Sequence, residues 1–160
     1  MSNKKKIIIA IVPARKGSKG LKNKNLLKIN GFPIVRKAAQ IGININSINY
    51  TVISSDSLKI LNLINDNKKI IKLKRSSNIS KDSTPMLPVL NNAIRFVEKK
   101  IDRKIHCIVI LDPTSPLRKK SDVTNAIKIF NNKKLDLLVS VNEADHNPYF
   151  SMLEKQKKYF

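Results

Sequence analysis

The chain of 160 residues is 41% hydrophobic, and this length and composition predict one soluble, globular domain with a buried core. Its formal net charge of +21 at pH 7 suggests an anionic partner, such as a nucleic acid, an anionic membrane or a phosphorylated small molecule. Aromatic residues make up only 5% and tryptophan is absent, which argues against a protein that stacks single-stranded bases. Nucleic-acid binding therefore remains only an alternative.

The charge has a second explanation in the composition. Lys and Asn fill most polar positions and Ile most apolar ones, as the codons of an AT-rich genome would impose on any protein. The net charge is therefore weak evidence of function, and only cations at particular positions in the fold indicate an anionic ligand. The single cysteine, Cys107, lies in the apolar run IHCIVIL and is predicted to be a buried residue of a cytoplasmic protein. No apolar stretch is long enough for a signal peptide or a membrane span, so no membrane partner is expected.

Apolar runs and helical periodicity alternate along the chain. The run Lys6 to Val12 is apolar and β-branched, which is typical of a strand buried on both faces, and it is predicted to be the central strand. Further strands are predicted at residues 50–54, 70–73, 105–111 and 135–141. Helices are predicted from Pro33 to Gly42 and over residues 57–66, 87–99 and 121–130. This alternation predicts an α/β fold with a doubly wound, parallel sheet.

Ligands of such sheets bind beyond the carboxyl ends of the strands, so the loops that follow the strands are the candidate binding segments. The first loop, in IVPARKGSKGLKNKN at residues 11–25, combines Gly17 and Gly20 with a series of cations. These cations are Arg15, Lys16, Lys19, Lys22 and Lys24. Glycines let backbone N–H groups approach an anion, so a polyphosphate is the expected ligand, with a solvated basic loop as the alternative. Neither the Walker A motif nor G-x-G-x-x-G is present.

The loop DPTSPLR at residues 112–118 is the second unusual segment. Its prolines stiffen the backbone, and Asp112 and Arg118 lie at its two ends. A stiff turn leading into a helix is the alternative interpretation. Asp112 and Asp56 are predicted at the same sheet edge, where carboxylate oxygens could hold Mg2+, although two acids do not identify a metal site. His106 is predicted to be structural, and so is His146.

Three stretches together resemble a known family. IVPARKGSKGLKNKN is similar to the signature P-A-R-x-G-S-K-G-x-x-x-K-N of the acylneuraminate cytidylyltransferases, the CMP-sialic acid synthetase family. LDPTSPLR resembles that family's Q-P-T-S-P-L-R motif, and RSSNISKDSTP resembles its R-P-x-x-L-x-x-D-[ST] stretch. Order and spacing also match, from about Ile7 to the end of the chain. LPVLNNAI, Asp112 and NPYFSMLE most resemble the branch that acts on legionaminic acid and its relatives.

The resemblance implies a Rossmann-like, doubly wound, mainly parallel sheet of the nucleotide-diphospho-sugar transferase type. It implies transfer of CMP from CTP to the anomeric hydroxyl of a nonulosonic acid, with release of pyrophosphate. Arg15 and Lys24 would contact the triphosphate as catalytic residues, Asn25 would reach the cytosine and Arg75 would help to fix the base. The implied nucleotide-binding set is Ala14, Arg15, Gly17, Ser18, Lys19, Lys24, Asn25, Arg75, Pro113, Thr114, Ser115 and Pro116.

Two positions depart from the family pattern. Lys16 stands where glycine or glutamine is common, which adds charge at the mouth of the site. Asp112 replaces the usual glutamine, and since the related 3-deoxy-manno-octulosonate enzymes use an acid in a comparable loop for metal, Asp112 is the expected ligand of Mg2+.

Relatives of this family continue beyond the position of Phe160 with further strands, a segment that forms the dimer, and an Asp-x-Asp pair that binds the metal ion. Residues 1–160 are therefore expected to be a single nucleotidyltransferase domain, incomplete at the C-terminus and not fully competent alone, with a homodimer expected for the full-length protein. The partners expected are CTP and a nonulosonic acid. The alternatives are a non-catalytic basic fragment that binds nucleotide or nucleic acid, and a 3-deoxy-manno-octulosonate cytidylyltransferase.

Overall fold

Four parallel strands form the main sheet of the protein, in the order β5-β4-β1-β6, in a computed structural model that describes residues 6–17, 21 and 23–141. The strands are β1 (Ile7–Pro13), β4 (Tyr50–Ser55), β5 (Ile70–Lys74) and β6 (Ile105–Ile110), and a small hairpin consists of β2 (Lys28–Ile29) and β3 (Phe32–Pro33). The helices are α1 (Ile34–Asn44), α2 (Leu58–Asn62), α3 (Met86–Ile101) and α4 (Lys120–Lys133). This confirms the predicted α/β fold class.

The chain divides into two compact units, residues 1–125 and 126–160. The first unit contains both sheets, helices α1 to α3 and the start of α4. The described part of the second unit, residues 126–141, contains the remaining turns of α4 and a segment without regular structure. No helix among the described residues is long and apolar enough to cross a membrane.

Strand β1 is central in the sheet, as its apolar sequence predicts. It pairs in parallel with β4 on one side, where Ile11 is opposite Val52, and with β6 on the other. Ile9, Ile11 and Val52 are fully buried, and Val97 of α3 belongs to the same core cluster. Because apolar side chains cover this part of the sheet, the polar and charged groups of β1 and its neighbours are confined to the strand ends.

Gly42 allows helix α1 to pack closely on the sheet. A Cβ atom at this position would lie 2.4 Å from Oγ1 of Thr51 and 3.2 Å from Cβ of Ala10, closer than side chains normally approach. The prediction that the helix ends at Gly42 was therefore wrong: the helix continues to Asn44. Gly42 therefore allows close packing of α1 on the sheet and does not end the helix. The sequence of the helix could not show this, because the close contact is with Thr51 of β4.

The predicted strand at residues 135–141 was wrong as well. The structure assigns no strand there, and Leu137 is 75% exposed and Val141 69% exposed. A strand requires backbone hydrogen bonds to a neighbouring strand, but among the described residues the one backbone hydrogen bond of this segment joins Leu135 N to Phe130 O of α4. An apolar pattern alone does not supply that neighbour.

Candidate functional site

The carboxyl ends of the four parallel strands lie at one edge of the sheet, and two cavities open among the loops that follow them. The larger has a volume of about 440 Å³ and is lined by Arg15, Lys16, Gly17, Asn23, Asp56, Ser80 and Asp82. The smaller has a volume of about 160 Å³, and its lining includes Arg15, Lys24, Asn25, Arg75, Asp82 and Asp112. Arg15, Ser80 and Asp82 border both cavities, so the two volumes are parts of one site.

The backbone of the first loop is fixed by hydrogen bonds from several parts of the chain. Ala14 N donates to Ser54 O at 2.9 Å, and Lys16 N donates to Oδ1 of Asp56 at 2.7 Å. The buried Asn25 donates from Nδ2 to the carbonyl oxygen of Arg15 at 2.9 Å. Strand β4 and the 3-10 turn Lys24–Leu26 therefore hold the loop on both sides of Arg15.

Arg15 is paired with an acid in this site. Its guanidinium forms an ion pair with the carboxylate of Asp82, and the two side chains are 29% and 35% exposed. Asp82 lies in the segment that follows β5, three residues beyond the 3-10 turn Ser77–Ile79. The ion pair therefore joins the loop after β1 to the segment after β5.

Arg75 lies directly after β5 and is only 6% exposed. Its backbone N donates to Ser55 O at 2.8 Å, which fixes the position of the residue. The Nε and Nη2 atoms of its guanidinium are buried and have no hydrogen-bond partner among the residues that the structure describes. Burial lowers the pKa of Arg75, and although Asp56 acts in the opposite direction, the nearby Arg15 lowers the pKa further. Buried guanidinium nitrogens that make no hydrogen bond are costly, so this side chain is well suited to an anionic or hydrogen-bond-accepting ligand.

The loop 112–118 is organised largely by its own contacts. Oδ1 of Asp112 accepts hydrogen bonds from Thr114 N at 3.0 Å and from Thr114 Oγ1 at 2.8 Å. Nη2 of Arg118 donates to the carbonyl oxygen of Asp112 at 3.4 Å, and burial lowers the pKa of Arg118 while Asp112 raises it. Thr114 and Ser115 are exposed, and Asp112 is the residue of this loop that lines the smaller cavity.

The structure thus brings together part of the set that the sequence predicts. Arg15, Gly17, Lys24, Asn25 and Arg75 line the two cavities. Ala14 is buried behind the loop, and the linings do not include the stretch 113–116. Ser18 and Lys19 lie outside the described residues, as do Gly20, Lys22 and His146.

Sequence reasoning did not select Asp82 as a site residue. The signal was available, because Asp82 is the acid of the stretch RSSNISKDSTP, at the position of the D in the family motif. What the motif could not show is that the carboxylate faces Arg15 of a loop far away in sequence. That contact depends on β1 and β5 delivering their loops to the same edge of the sheet.

Asp112 also fits a role as a Mg2+ ligand. Its Oδ1 accepts the hydrogen bonds from Thr114, and the side chain borders the same cavity as Arg75 and Lys24. The described residues contain no group of three or more His, Cys, Asp or Glu side chains that could hold a metal ion. Magnesium is commonly held by one or two carboxylates together with substrate phosphates and water, so a single carboxylate here matches a nucleotide-bound ion.

Comparisons with known proteins show the family of the chain. The sequence model of the family described as Cytidylyltransferase matches residues 9–159. The chain is 30% identical over 149 residues to "Post-translational flagellin modification protein B" of Campylobacter coli, covering 93% of this chain and 63% of that protein. It is 31% identical over 149 residues to "CMP-N,N'-diacetyllegionaminic acid synthase" of Campylobacter jejuni, with the same coverage of 93% and 63%.

Among solved structures, the chain resembles a CMP:2-keto-3-deoxy-manno-octonic acid synthetase that was determined with CTP. The TM-score is 0.60 at 18% sequence identity, and the match covers 80% of this chain and 48% of that one. At this identity the likeness shows the fold alone. The chain spans about 63% of the length of the two curated relatives described above.

Proposed function

The chain belongs to the cytidylyltransferase family, and from that premise we propose that it forms the nucleotide-binding part of an enzyme that transfers CMP from CTP to a nonulosonic acid. The observation that carries this proposal is the cationic site at the carboxyl edge of the sheet. There Arg15, Lys24 and the buried guanidinium of Arg75 border the two cavities. Arg15 and Lys24 are suited to the phosphates of a nucleotide, and the buried guanidinium of Arg75 is suited to hydrogen-bond acceptors of the base.

In the proposed reaction the anomeric hydroxyl oxygen of the sugar acid attacks the α-phosphorus of CTP. A new P–O bond forms, the hydroxyl proton passes to solvent water, the bond between the α-phosphorus and the bridging oxygen breaks, and pyrophosphate leaves with the electron pair. Such a transfer depends mainly on positioning and on stabilising the negative charge of the phosphates. Arg15 and Lys24 provide that charge stabilisation in the proposal, and the fixed backbone around Arg15 keeps its side chain near the phosphates.

Arg75 and Asn25 are the proposed contacts to the cytosine. Both are buried at the smaller cavity, where the Nε and Nη2 atoms of Arg75 have no other partner. Cytosine offers acceptors at O2 and N3, which suit a guanidinium donor. The amide nitrogen of Asn25 is already used to hold Arg15, so Asn25 couples the base end of the site to the phosphate end.

Magnesium is the proposed cofactor, with Asp112 as its protein ligand in the described part of the chain. When bound, the ion would neutralise phosphate charge and act as a Lewis acid toward the α-phosphoryl group. The hydrogen bonds from Thr114 to Oδ1 hold the Asp112 side chain in place. We also propose a homodimer and a cytoplasmic location for the full-length protein, without nucleic acid or membrane as a partner.

The proposed acceptor is a legionaminic-type acid. Support comes from the named relative, "CMP-N,N'-diacetyllegionaminic acid synthase" of Campylobacter jejuni. The full-length enzyme should be assayed with CTP and a panel of legionaminic, pseudaminic, N-acetylneuraminic and 3-deoxy-manno-octulosonic acids, with pyrophosphate release as the readout. A clear preference for N-acetylneuraminic or 3-deoxy-manno-octulosonic acid would contradict the proposed acceptor while leaving the reaction type intact.

The nucleotide proposal is tested by calorimetry on the 160-residue chain. We expect CTP to bind more tightly than ATP, and Arg15→Ala to weaken CTP binding by about tenfold or more, because one charge-assisted contact to the phosphates is lost. Arg95→Ala is the matched control, since Arg95 is exposed on α3 and lies outside both cavity linings. Equal binding of CTP and ATP, or equal effects of the two variants, would contradict the proposal. Salt-sensitive binding to any nucleic acid without an effect of CTP would favour the alternative.

A further inference from the structure

The two arginines of the site differ in how their charges are balanced before a ligand arrives. Arg75 is buried, and its Nε and Nη2 have no hydrogen-bond partner. Arg15, in contrast, is partly exposed and already neutralised by the carboxylate of Asp82. The base of a ligand can therefore reach Arg75 without displacing a hydrogen-bonded protein group, whereas a phosphate at Arg15 meets the Asp82 carboxylate that already holds the guanidinium.

The geometry restricts what can move when the ligand enters. The backbone on both sides of Arg15 is fixed by the contacts to Asp56, Ser54 and Asn25. Among the residues that the structure describes, the ion pair with Arg15 is the one polar contact of the Asp82 side chain. The Asp82 carboxylate is therefore the partner that is free to leave, and a partly exposed ion pair is weak enough to be exchanged for a stronger one.

Phosphate is the stronger partner in such an exchange. A triphosphate carries several negative charges and presents oxygens for bidentate binding, whereas Asp82 contributes one charge on a side chain that water can also solvate. While Asp82 remains near the larger cavity, its carboxylate also repels any anion that enters.

We propose that Asp82 is a positioning and specificity residue, which holds Arg15 in the free protein and is exchanged for phosphate oxygens when the nucleotide binds. This inference rests on the proposed function, because it assigns the anion at Arg15 to the triphosphate of CTP. The exchange makes binding depend on the charge of the ligand. An uncharged nucleoside does not need Arg15 and is indifferent to Asp82, whereas a triphosphate must displace it.

The test is Asp82→Asn, which removes the charge and keeps the size, measured by calorimetry against three probes. We expect the variant to bind CTP and inorganic tripolyphosphate about tenfold more tightly than the natural chain, and cytidine with unchanged affinity. Asp82→Glu should restore the weaker binding of both anions, because it returns a carboxylate to the segment. Asp82→Ser provides a second charge-free variant, and thermal unfolding confirms that each variant is folded.

The matched control is Asp66→Asn. Asp66 forms an ion pair with Nζ of Lys72 at 2.8 Å, is 95% exposed and lies outside both cavity linings. The substitution changes the net charge by the same amount as Asp82→Asn, and screening should limit its effect on anion binding to less than about twofold.

The outcomes separate this inference from the proposed function. If Asp82→Asn weakens or does not change the binding of CTP and tripolyphosphate, or if it tightens cytidine equally, the exchange is wrong. A complete lack of tripolyphosphate binding by both the natural chain and Asp82→Asn would also overturn it. If CTP binds no better than ATP while tripolyphosphate tightens as expected, the exchange stands and the proposed choice of cytosine fails.

Discussion

The loop after β1 and the loop after β6 both match family motifs, but the structure uses them differently. The first loop is held from outside, by Ser54 and Asp56 at the end of β4 and by Asn25. Its charged side chains consequently line the cavities. The second loop is held mainly from within, through Asp112, Thr114 and Arg118.

This difference shows that a motif identifies a segment without identifying how its side chains are used. In the first loop the backbone is supported by other elements, so side chains such as Arg15 are available for a ligand or a counterion. In the second loop the polar groups of Asp112 and Thr114 satisfy each other, and Asp112 is the side chain that lines the smaller cavity. In the proposed function, nucleotide binding therefore depends mainly on the first loop and Arg75.

The largest effect is expected for Arg75→Met. This variant tests whether the buried Arg75 binds the nucleotide together with the first loop, as proposed, or only supports the fold. The substitution keeps an unbranched stem but removes a guanidinium whose Nε and Nη2 are buried without partners. We expect CTP binding to weaken by about a hundredfold, while the free energy of unfolding rises by about 1 kcal/mol because two buried nitrogens without a hydrogen bond are removed. Calorimetry and urea unfolding measure the two effects.

The control for Arg75→Met is Arg95→Met on the exposed face of α3, which should change neither quantity. Loss of stability in Arg75→Met with unchanged CTP affinity would mean that Arg75 supports the fold and does not contact the nucleotide. Loss of both would mean that its cationic head has a structural partner in solution.

An intermediate effect on CTP affinity is expected at Asp56, which directly follows β4 and holds the first loop. Oδ1 of Asp56 accepts the Lys16 N–H at 2.7 Å, and an asparagine at this position can still accept that bond, whereas an alanine cannot. Both substitutions remove the same charge, so their difference isolates the hydrogen bond. We expect Asp56→Ala to bind CTP about fivefold to tenfold more weakly than Asp56→Asn, the effect of about 1 kcal/mol from one hydrogen bond. Equal affinities of the two variants would show that the loop does not need this anchor.

Much of the fold could be predicted from local pattern, because a continuous apolar run such as Ile7–Pro13 is favoured in a strand that is buried on both faces. The hairpin of β2 and β3 was missed although its signal was present. Asn30 and Gly31 both have positive φ values, of 52° and 79°, as a two-residue hairpin turn requires. The segment 135–141 shows the converse error, because its apolar residues predicted a strand without showing whether a neighbouring strand was available.

The candidate site was predictable to the extent that it depends on sequence motifs. The motif supplied Arg15, Lys24, Asn25 and Arg75, and the structure brings these residues to the two cavities. The ion pair between Arg15 and Asp82 and the missing partners of Arg75 could not be read from the motif. The ion pair forms, and the nitrogens of Arg75 become buried, only when the parallel strands bring the loops at their ends together. Both features therefore depend on the tertiary fold.

The smallest effect on nucleotide affinity is expected in the second loop, where Asp112→Asn separates the charge of the side chain from its role in the turn. The asparagine Oδ1 can still accept the hydrogen bonds from Thr114, so the loop should keep its conformation. We expect CTP affinity without Mg2+ to change by less than about twofold, whereas the gain in affinity on adding Mg2+ should fall severalfold, because the proposed carboxylate ligand is lost. Thr114→Val is the matched control, since it removes one hydrogen bond to Asp112 but leaves the carboxylate in place. If Asp112→Asn keeps the full gain from Mg2+, Asp112 is a turn residue only, and the second loop contributes no side chain to the chemistry proposed for this edge of the sheet.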